Sequence, residues 1–302
     1  MAEATILAKD PHQYDYEVER PSNSQLWSER YMLFLEDVTA VFDGFKALDI
    51  KNLGIGHNEL RVVVGPNGAG KTTMCDVISR LTKPTTGKVY FDGQDTTSWT
   101  DTQMAQHGVG RKFQIPNVFD SLTVWENMLL SLPNPTRHVG TRAWRKDRHD
   151  NRKDHGPVIV AMHKLTSTIK YMGGRATSPN TDKIHEILKR VRLFDQLHTP
   201  ARDLSHGQRQ WLAISKLIIA EPKLLLVDEP AAGLTDRETE LTAELLNELK
   251  GSHTIIVIEH DMDFVRRLAS RVTVLDNGQV LADGTLDEVQ ANEKVIEAYL
   301  GR

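Results

Sequence analysis

A single cysteine, Cys75, is present, which excludes an intramolecular disulfide and any cysteine-rich metal site. There is no run of about 18 apolar residues, so no helix is expected to cross a membrane. Met1–Asp10 lacks the basic patch and the apolar run of roughly 7–15 residues that mark a secretory signal. The formal net charge is only −4 over 302 residues, which removes any bulk attraction to nucleic acid. No internal repeat of the whole unit is visible, so one copy of the core is expected. From these absences a soluble, cytoplasmic chain is expected, one that can still sit on a membrane by binding a partner that spans it. With 39% apolar residues it can still bury one large core or two modest ones.

What is present is strand alternating with helix. Residues 1–29 are polar, with Pro11, Pro21 and a Ser-Asn-Ser run, and read as an extension with little core of its own. The folded domain is expected over 30–302. Strands are expected at Tyr31–Val38, Leu60–Val64, Lys88–Phe91, Leu224–Val227, Thr254–Ile258 and Arg271–Leu275. The last turns through Asp276-Asn277-Gly278-Gln279 into Val280–Ala282, a hairpin by its turn chemistry. A helix is expected over Thr72–Leu81. Interleaved strands and helices predict an α/β core with a mostly parallel sheet. From Phe119 to Asp203 the strand signals stop, and helical spacing appears at Thr123–Leu130 and Lys183–Leu193. This predicts a helical subdomain, 115–203, inserted into the core. Within it, 133–180 carries ten Lys and Arg against Asp147, Asp150 and Asp154, a strong basic bias.

Gly65-Pro66-Asn67-Gly68-Ala69-Gly70-Lys71-Thr72 follows the apolar strand and opens a helix. In that context the glycines let successive backbone N–H groups curl around phosphate oxygens. The helix adds its positive N-terminal end. Lys71 is placed to reach the β and γ phosphates and Thr72 to hold Mg²⁺, with Thr73 completing the loop. Asp228 and Glu229 end an apolar run. Asp228 can hold Mg²⁺ through water, and Glu229 can polarise an attacking water as general base. An exposed strand end would explain the pair if the phosphate loop were absent.

Leu204-Ser205-His206-Gly207-Gln208 precedes Asp228 by about twenty residues and opens a helix with Trp211, Leu212, Ile214, Leu217 and Ile218. Gly207 permits close backbone approach, and Ser205 offers a hydroxyl at the helix start. An ordinary serine N-cap would explain the helix but would leave Gly207-Gln208 without a reason. Gln114 could touch Mg²⁺ or water, or be a plain surface residue. His260 follows an apolar strand and could contact a γ-phosphate or be structural. Phe42, before Asp43-Gly44, could stack on adenine or belong to the core.

Taken in order, these motifs, with Gly233-Leu234-Thr235-Asp236, resemble the ATP-binding subunits of ABC transporters from about residue 31 onward. The resemblance implies a P-loop NTPase core of ABC type, α/β with an antiparallel β subdomain and an inserted helical subdomain. It implies ATP and Mg²⁺ as ligands and a head-to-tail dimer with a second ATPase subunit. In that dimer each ATP lies between one phosphate loop and the other subunit's Ser205–Gly207 segment. Phe42 becomes the adenine-stacking aromatic, Glu229 the base, His260 the γ-phosphate sensor, and Gln114 a metal or water contact near the docked permease. Membrane-spanning permeases are the direct partners, a periplasmic binding protein an indirect one, and no nucleic acid is implied. The expected location is the cytoplasmic face of the membrane.

A narrower likeness is carried by Val41–Leu48, Gly110–Gln114, and Val118-Phe119 through Leu122–Asn127. These look like the branched-chain amino acid and urea importer group. The tail, Asp287–Glu293 and Tyr299–Arg302, and the phrase Leu204–Gln208 are most similar to the urea-type subunit. Two departures stand out: His206 replaces the glycine usual in the broad family, and 133–180 is longer and more basic than the group's pattern. That stretch is a solvated loop, or a face for anionic headgroups. A soluble ABC ATPase acting on nucleic acid would be expected to show sustained heptads or a second core, and neither is seen. A P-loop kinase would leave Leu204–Gln208 and His260 without a role.

Overall fold

A computed structural model describes residues 30–133, 178–268 and 271–300. The expected extension over 1–29 and the ten basic residues of the insert lie outside these. The described chain divides into two compact units, with breaks after Gln114 and after Pro222.

The first unit holds a six-stranded sheet in the order β10-β9-β3-β8-β7-β6. Its strands are β3 (Leu60–Val64), β6 (Val109–Lys112), β7 (Leu224–Asp228), β8 (Thr254–Ile258), β9 (Arg271–Asp276) and β10 (Gln279–Gly284). All run parallel except β10, which forms the expected hairpin with β9. Every residue of β3, β7 and β8 is buried, which is why each reads as an unbroken apolar run rather than an alternating one. The exception within β3 is Arg61, 1% exposed. Its charge is matched by Asp283 and Glu59, with Thr273 accepting a further bond at 2.9 Å. A buried guanidinium needs such partners on all sides.

A second sheet, order β2-β1-β4-β5, is antiparallel. It comprises β1 (Tyr31–Phe42), β2 (Phe45–Gly56), β4 (Thr86–Phe91) and β5 (Gln94–Asp95). Between the sheets packs helix α1 (Lys71–Ile78), burying Met74, Cys75, Val77 and Ile78. Leu35, Ile50, Val63, Met74, Ile256 and Leu275 join one continuous core across both sheets. Among the described residues the other α-helices of this unit include α2 (Asp101–Gln106), α6 (Asp236–Leu249), α7 (Met262–Leu268), α8 (Leu286–Gln290) and α9 (Glu293–Leu300).

The second unit contains α3 (Val124–Ser131), α4 (Ser178–Arg190) and α5 (His206–Ile219). It continues past Asp203 to Pro222 and so takes in α5. Thr123 caps α3, with its hydroxyl accepting from Glu126 N–H and Glu126 reaching back to Thr123 N–H. Asn127 is fully buried and donates to the carbonyls of Phe119, Leu122 and Thr123. The Leu122–Asn127 motif is thus a device for fixing one loop. Trp211, Leu212, Ile214 and Ile218 are buried as expected, while Leu217 is half-buried. Among the described residues no helix is long and apolar enough to cross a membrane.

Candidate functional site

The phosphate loop links the C-terminal end of β3 to α1. A Cβ on Gly65 would lie 2.2 Å from the Leu275 carbonyl oxygen. Gly70 has φ 95°, and a Cβ there would meet the Ala47 oxygen at 2.6 Å. Neither position admits a side chain. The β9–β10 turn buttresses the loop, with Gly278 N–H donating to Ala69 O at 3.1 Å. Gly70 is also the N-cap of α1, and no side chain caps that helix. Asn67 and Gly68 are exposed, Pro66 is half-exposed, and Ala69 is buried. Lys71 is largely buried, its Nζ donating to Gly65 O at 2.6 Å and Pro66 O at 2.9 Å. Desolvation lowers its pKa, opposed by the charges of Glu229 and Asp228. Thr72 is exposed and Thr73 half-buried.

Sheet order builds the rest. In the order β3-β8-β7-β6, the phosphate loop, His260, Asp228-Glu229 and Gln114 lie at the C-terminal ends of four neighbouring parallel strands. They therefore share one edge of the sheet, where ligands of open α/β sheets gather. Gln114 Nε2 donates to Glu229 Oε2 at 2.5 Å. His260 Nδ1 lies 3.6 Å from Glu229 Oε1. Two residues from separate stretches of sequence thus converge on the carboxylate of a third. Glu229 is in the left-handed region, φ 44°, held there as its N–H donates to Ile258 O at 3.0 Å. Asp228 is 7% exposed. Desolvation raises its pKa, opposed chiefly by Arg111.

Phe42 is no core residue. It is 47% exposed at the tip of the β1–β2 hairpin, paired with Phe45 across Asp43-Gly44. This removes the core alternative. The Leu204–Gln208 segment, in the second unit, needs a correction. Ser205 Oγ accepts from Gln208 N–H at 3.2 Å, and Gln208 Oε1 accepts from Ser205 N–H at 2.9 Å. This capping box accounts for Gln208 by helix chemistry alone, so only the buried Gly207 is left unexplained by it. His206 is exposed and Leu204 buried.

Sequence reasoning missed two buried charges beside the site. Lys112, 3% exposed, donates from Nζ to Asp228 O at 3.0 Å. Desolvation pushes its pKa down to about 8. Glu259 is 1% exposed and accepts from the backbone N–H groups of Ala231 and His260. The signal for Glu259 was a charged residue directly after a buried strand. A concavity of about 500 Å³ beside it is lined by Gly233, Asp236, Glu259, His260 and Asp261. The larger groove, about 1190 Å³, runs past Arg271 and Glu288 and holds none of the predicted site residues.

A phosphate loop beside the carboxylates ending the neighbouring strands, with an antiparallel sheet alongside, defines a P-loop ATPase of the ABC type. A family model described as "ABC transporter" matches residues 48–232. One described as "Branched-chain amino acid ATP-binding cassette transporter" matches 279–302. The chain is 33% identical over 269 residues to the high-affinity branched-chain amino acid transport ATP-binding protein LivG of Escherichia coli K12, covering 86% of this chain and 94% of that protein. It is 30% identical to BraF, the corresponding protein of Pseudomonas aeruginosa, covering 90% and 98%. A nucleotide-free ATP-binding cassette from an ABC transporter superposes with TM-score 0.70 at 28% identity, covering 90% of this chain and 99% of that one. A dimeric cassette in a post-hydrolysis state, bound to ADP and Pi, gives TM-score 0.63 at 26% identity, covering 84% and 99%. The chain belongs to the ABC transporter family and is one of its ATP-binding, ATP-hydrolysing subunits.

Proposed function

We propose that this chain energises an importer of branched-chain amino acids by hydrolysing ATP at the edge formed by β3, β8, β7 and β6. The observation carrying the site is the convergence of Gln114 and His260 on Glu229 beside the phosphate loop. ATP lies along Gly65–Thr73, with Lys71 on the β and γ phosphates and Phe42 under the adenine. Glu229 takes a proton from the in-line water, while His260 and Lys71 steady charge on the γ-phosphate. Gln114 orients that water from the far side of the carboxylate.

Magnesium fits the donor set: the exposed Thr72 hydroxyl, the Asp228 carboxylate and the Gln114 amide offer hard oxygens. Among the described residues no cluster of three or more His, Cys, Asp or Glu could hold a metal alone. Held by these residues, the ion would neutralise charge on the transferring group. Ser205 and Gly207 face the nucleotide of a second ATPase subunit. The permeases dock close to Gln114, a periplasmic binding protein delivers the solute, and the chain works at the cytoplasmic face of the membrane.

The choice of solute follows the relatives. LivG and BraF are named for branched-chain amino acids, and the tail that resembles the urea-type subunit falls within the branched-chain match over 279–302. The urea reading has no comparable support. Uptake of labelled leucine beside labelled urea, in cells lacking this chain, tests the proposal. Loss of leucine uptake is expected; loss of urea uptake alone would reverse the assignment, and no change in either would remove the transport role.

A further inference from the structure

Glu259 directly follows β8, immediately before His260, and is sealed from solvent. Its two carboxylate oxygens serve two different chain segments. Oε1 accepts from Ala231 N–H at 3.0 Å. Oε2 accepts from His260 N–H at 3.1 Å, with Asp261 N–H at 3.5 Å. Ala231 lies two residues after Glu229, in the stretch leading from β7 to α6. Burial raises the pKa of Glu259, and the three amide donors work against that. A buried carboxylate is a costly choice where an apolar residue would fill the space. None of the steps proposed for hydrolysis uses it.

Its worth lies in what only an ionised carboxylate offers: acceptors on both oxygens and no donor. It can hold N–H groups from two loops at once. Those loops are the ones carrying Glu229 and His260, whose side chains stand 3.6 Å apart. We infer that Glu259 is a positioning residue for ATP hydrolysis: its buried carboxylate ties the backbone following Glu229 to the backbone of His260 and so keeps the two side chains facing each other. The inference rests on the roles proposed for Glu229 and His260.

Glu259→Gln in the full-length protein tests it. The amide has nearly the same shape, but whichever way it turns it presents NH₂ to one of the two sets of N–H donors, so one tie is lost. Turnover should fall about tenfold, with KM for ATP and nucleotide affinity staying within about twofold of wild type. Combined with His260→Ala, it should slow turnover no further than His260→Ala alone, because Glu259 acts through that residue. Glu259→Asp keeps both acceptors on a shorter arm and should show a smaller loss of the same kind. If Glu259→Gln fails to fold, Glu259→Asp carries the same two readings. Multiplying losses in the double variant, or a rise in KM matching the fall in turnover, would overturn the positioning role. Glu229→Gln serves as the control. Normal turnover there would sink the site reading itself, whereas an inactive Glu229→Gln beside a fully active Glu259→Gln would sink only the present inference.

Discussion

The helix after the phosphate loop and the helix after Leu204 begin in opposite ways. The first starts at Gly70 in a left-handed conformation, and no side chain caps it. The second starts at Ser205, where Ser205 and Gln208 satisfy each other's N–H groups in a closed capping box. A helix start leaves several N–H groups without intrahelical partners, and something must satisfy them. Where a side chain does so, the helix is self-sufficient. Where glycine stands instead, the N–H groups are open to backbone, water or a ligand. The two glycine-bearing motifs look alike as text, yet only the first leaves its helix start without a side-chain cap. The second has its stability from its own cap, and whatever it contributes to nucleotide chemistry must come from Gly207 and the outward face of Ser205.

That contrast can be broken or sharpened by substitution. The largest effect is expected at the chemistry that the first motif serves. Glu229→Gln should retain ATP binding and lose at least about a hundredfold in hydrolysis, on general-base magnitudes, by steady-state phosphate release. Gly70→Ala should follow. It forces alanine to φ 95° and drives its Cβ towards the Ala47 oxygen at 2.6 Å. A stability loss of more than about 2 kcal/mol is expected in denaturant melts, together with loss of nucleotide binding. Ser205→Ala should cost only about 1 kcal/mol, the usual worth of an N-cap. A loss from Ser205→Ala equal to that from Gly70→Ala would erase the distinction between the two starts.

A smaller, pH-dependent effect is expected at Lys112, whose pKa is pushed down from 10.5 to about 8 by burial. Between those values the unfolded chain binds the proton and the folded chain releases it. Folded stability from this group is therefore penalised below about pH 8, and the penalty is relieved as pH rises towards 10.5. Compared with Lys112→Met, wild type should gain up to about 1.4 kcal/mol per pH unit across that window. A pH-independent difference between the two would show that Lys112 keeps an ordinary pKa.

Much of the fold was legible because fully buried strands leave a plain trace. Leu60–Val64 and Thr254–Ile258 were read to the residue. Others left no such trace. The strand Phe45–Gly56 mixes Lys46, Asp49, Lys51 and Asn52 with its apolar residues, as befits an antiparallel sheet with an open face. The strand Val109–Lys112 is four residues long and ends in two charges, tolerable only because Arg111 pairs with Asp76 and Lys112 bonds the Asp228 carbonyl. The helix Asp236–Leu249 was not placed, although Thr235 and Glu238 announce it with a capping box, as Thr285 and Glu288 do for Leu286–Gln290. At the site, each motif residue could be picked out singly. That Gln114 and His260 meet on Glu229 follows from the order β3-β8-β7-β6, a non-local fact that no local pattern carries. Glu259 escaped because a charge directly after a buried strand does not by itself reveal the N–H groups it will bind.

The most direct measurement is the ATP affinity of the isolated chain carrying Lys71→Ala, set beside that of Ser205→Ala, by titration calorimetry with Mg²⁺ present. Lys71 sits at the first helical position after the open loop, and Ser205 closes the other helix on itself. Affinity should fall by about tenfold or more in Lys71→Ala and stay unchanged in Ser205→Ala. Equal losses in both, or full affinity in Lys71→Ala, would contradict the claim that the nucleotide is held by the loop Gly65–Thr73.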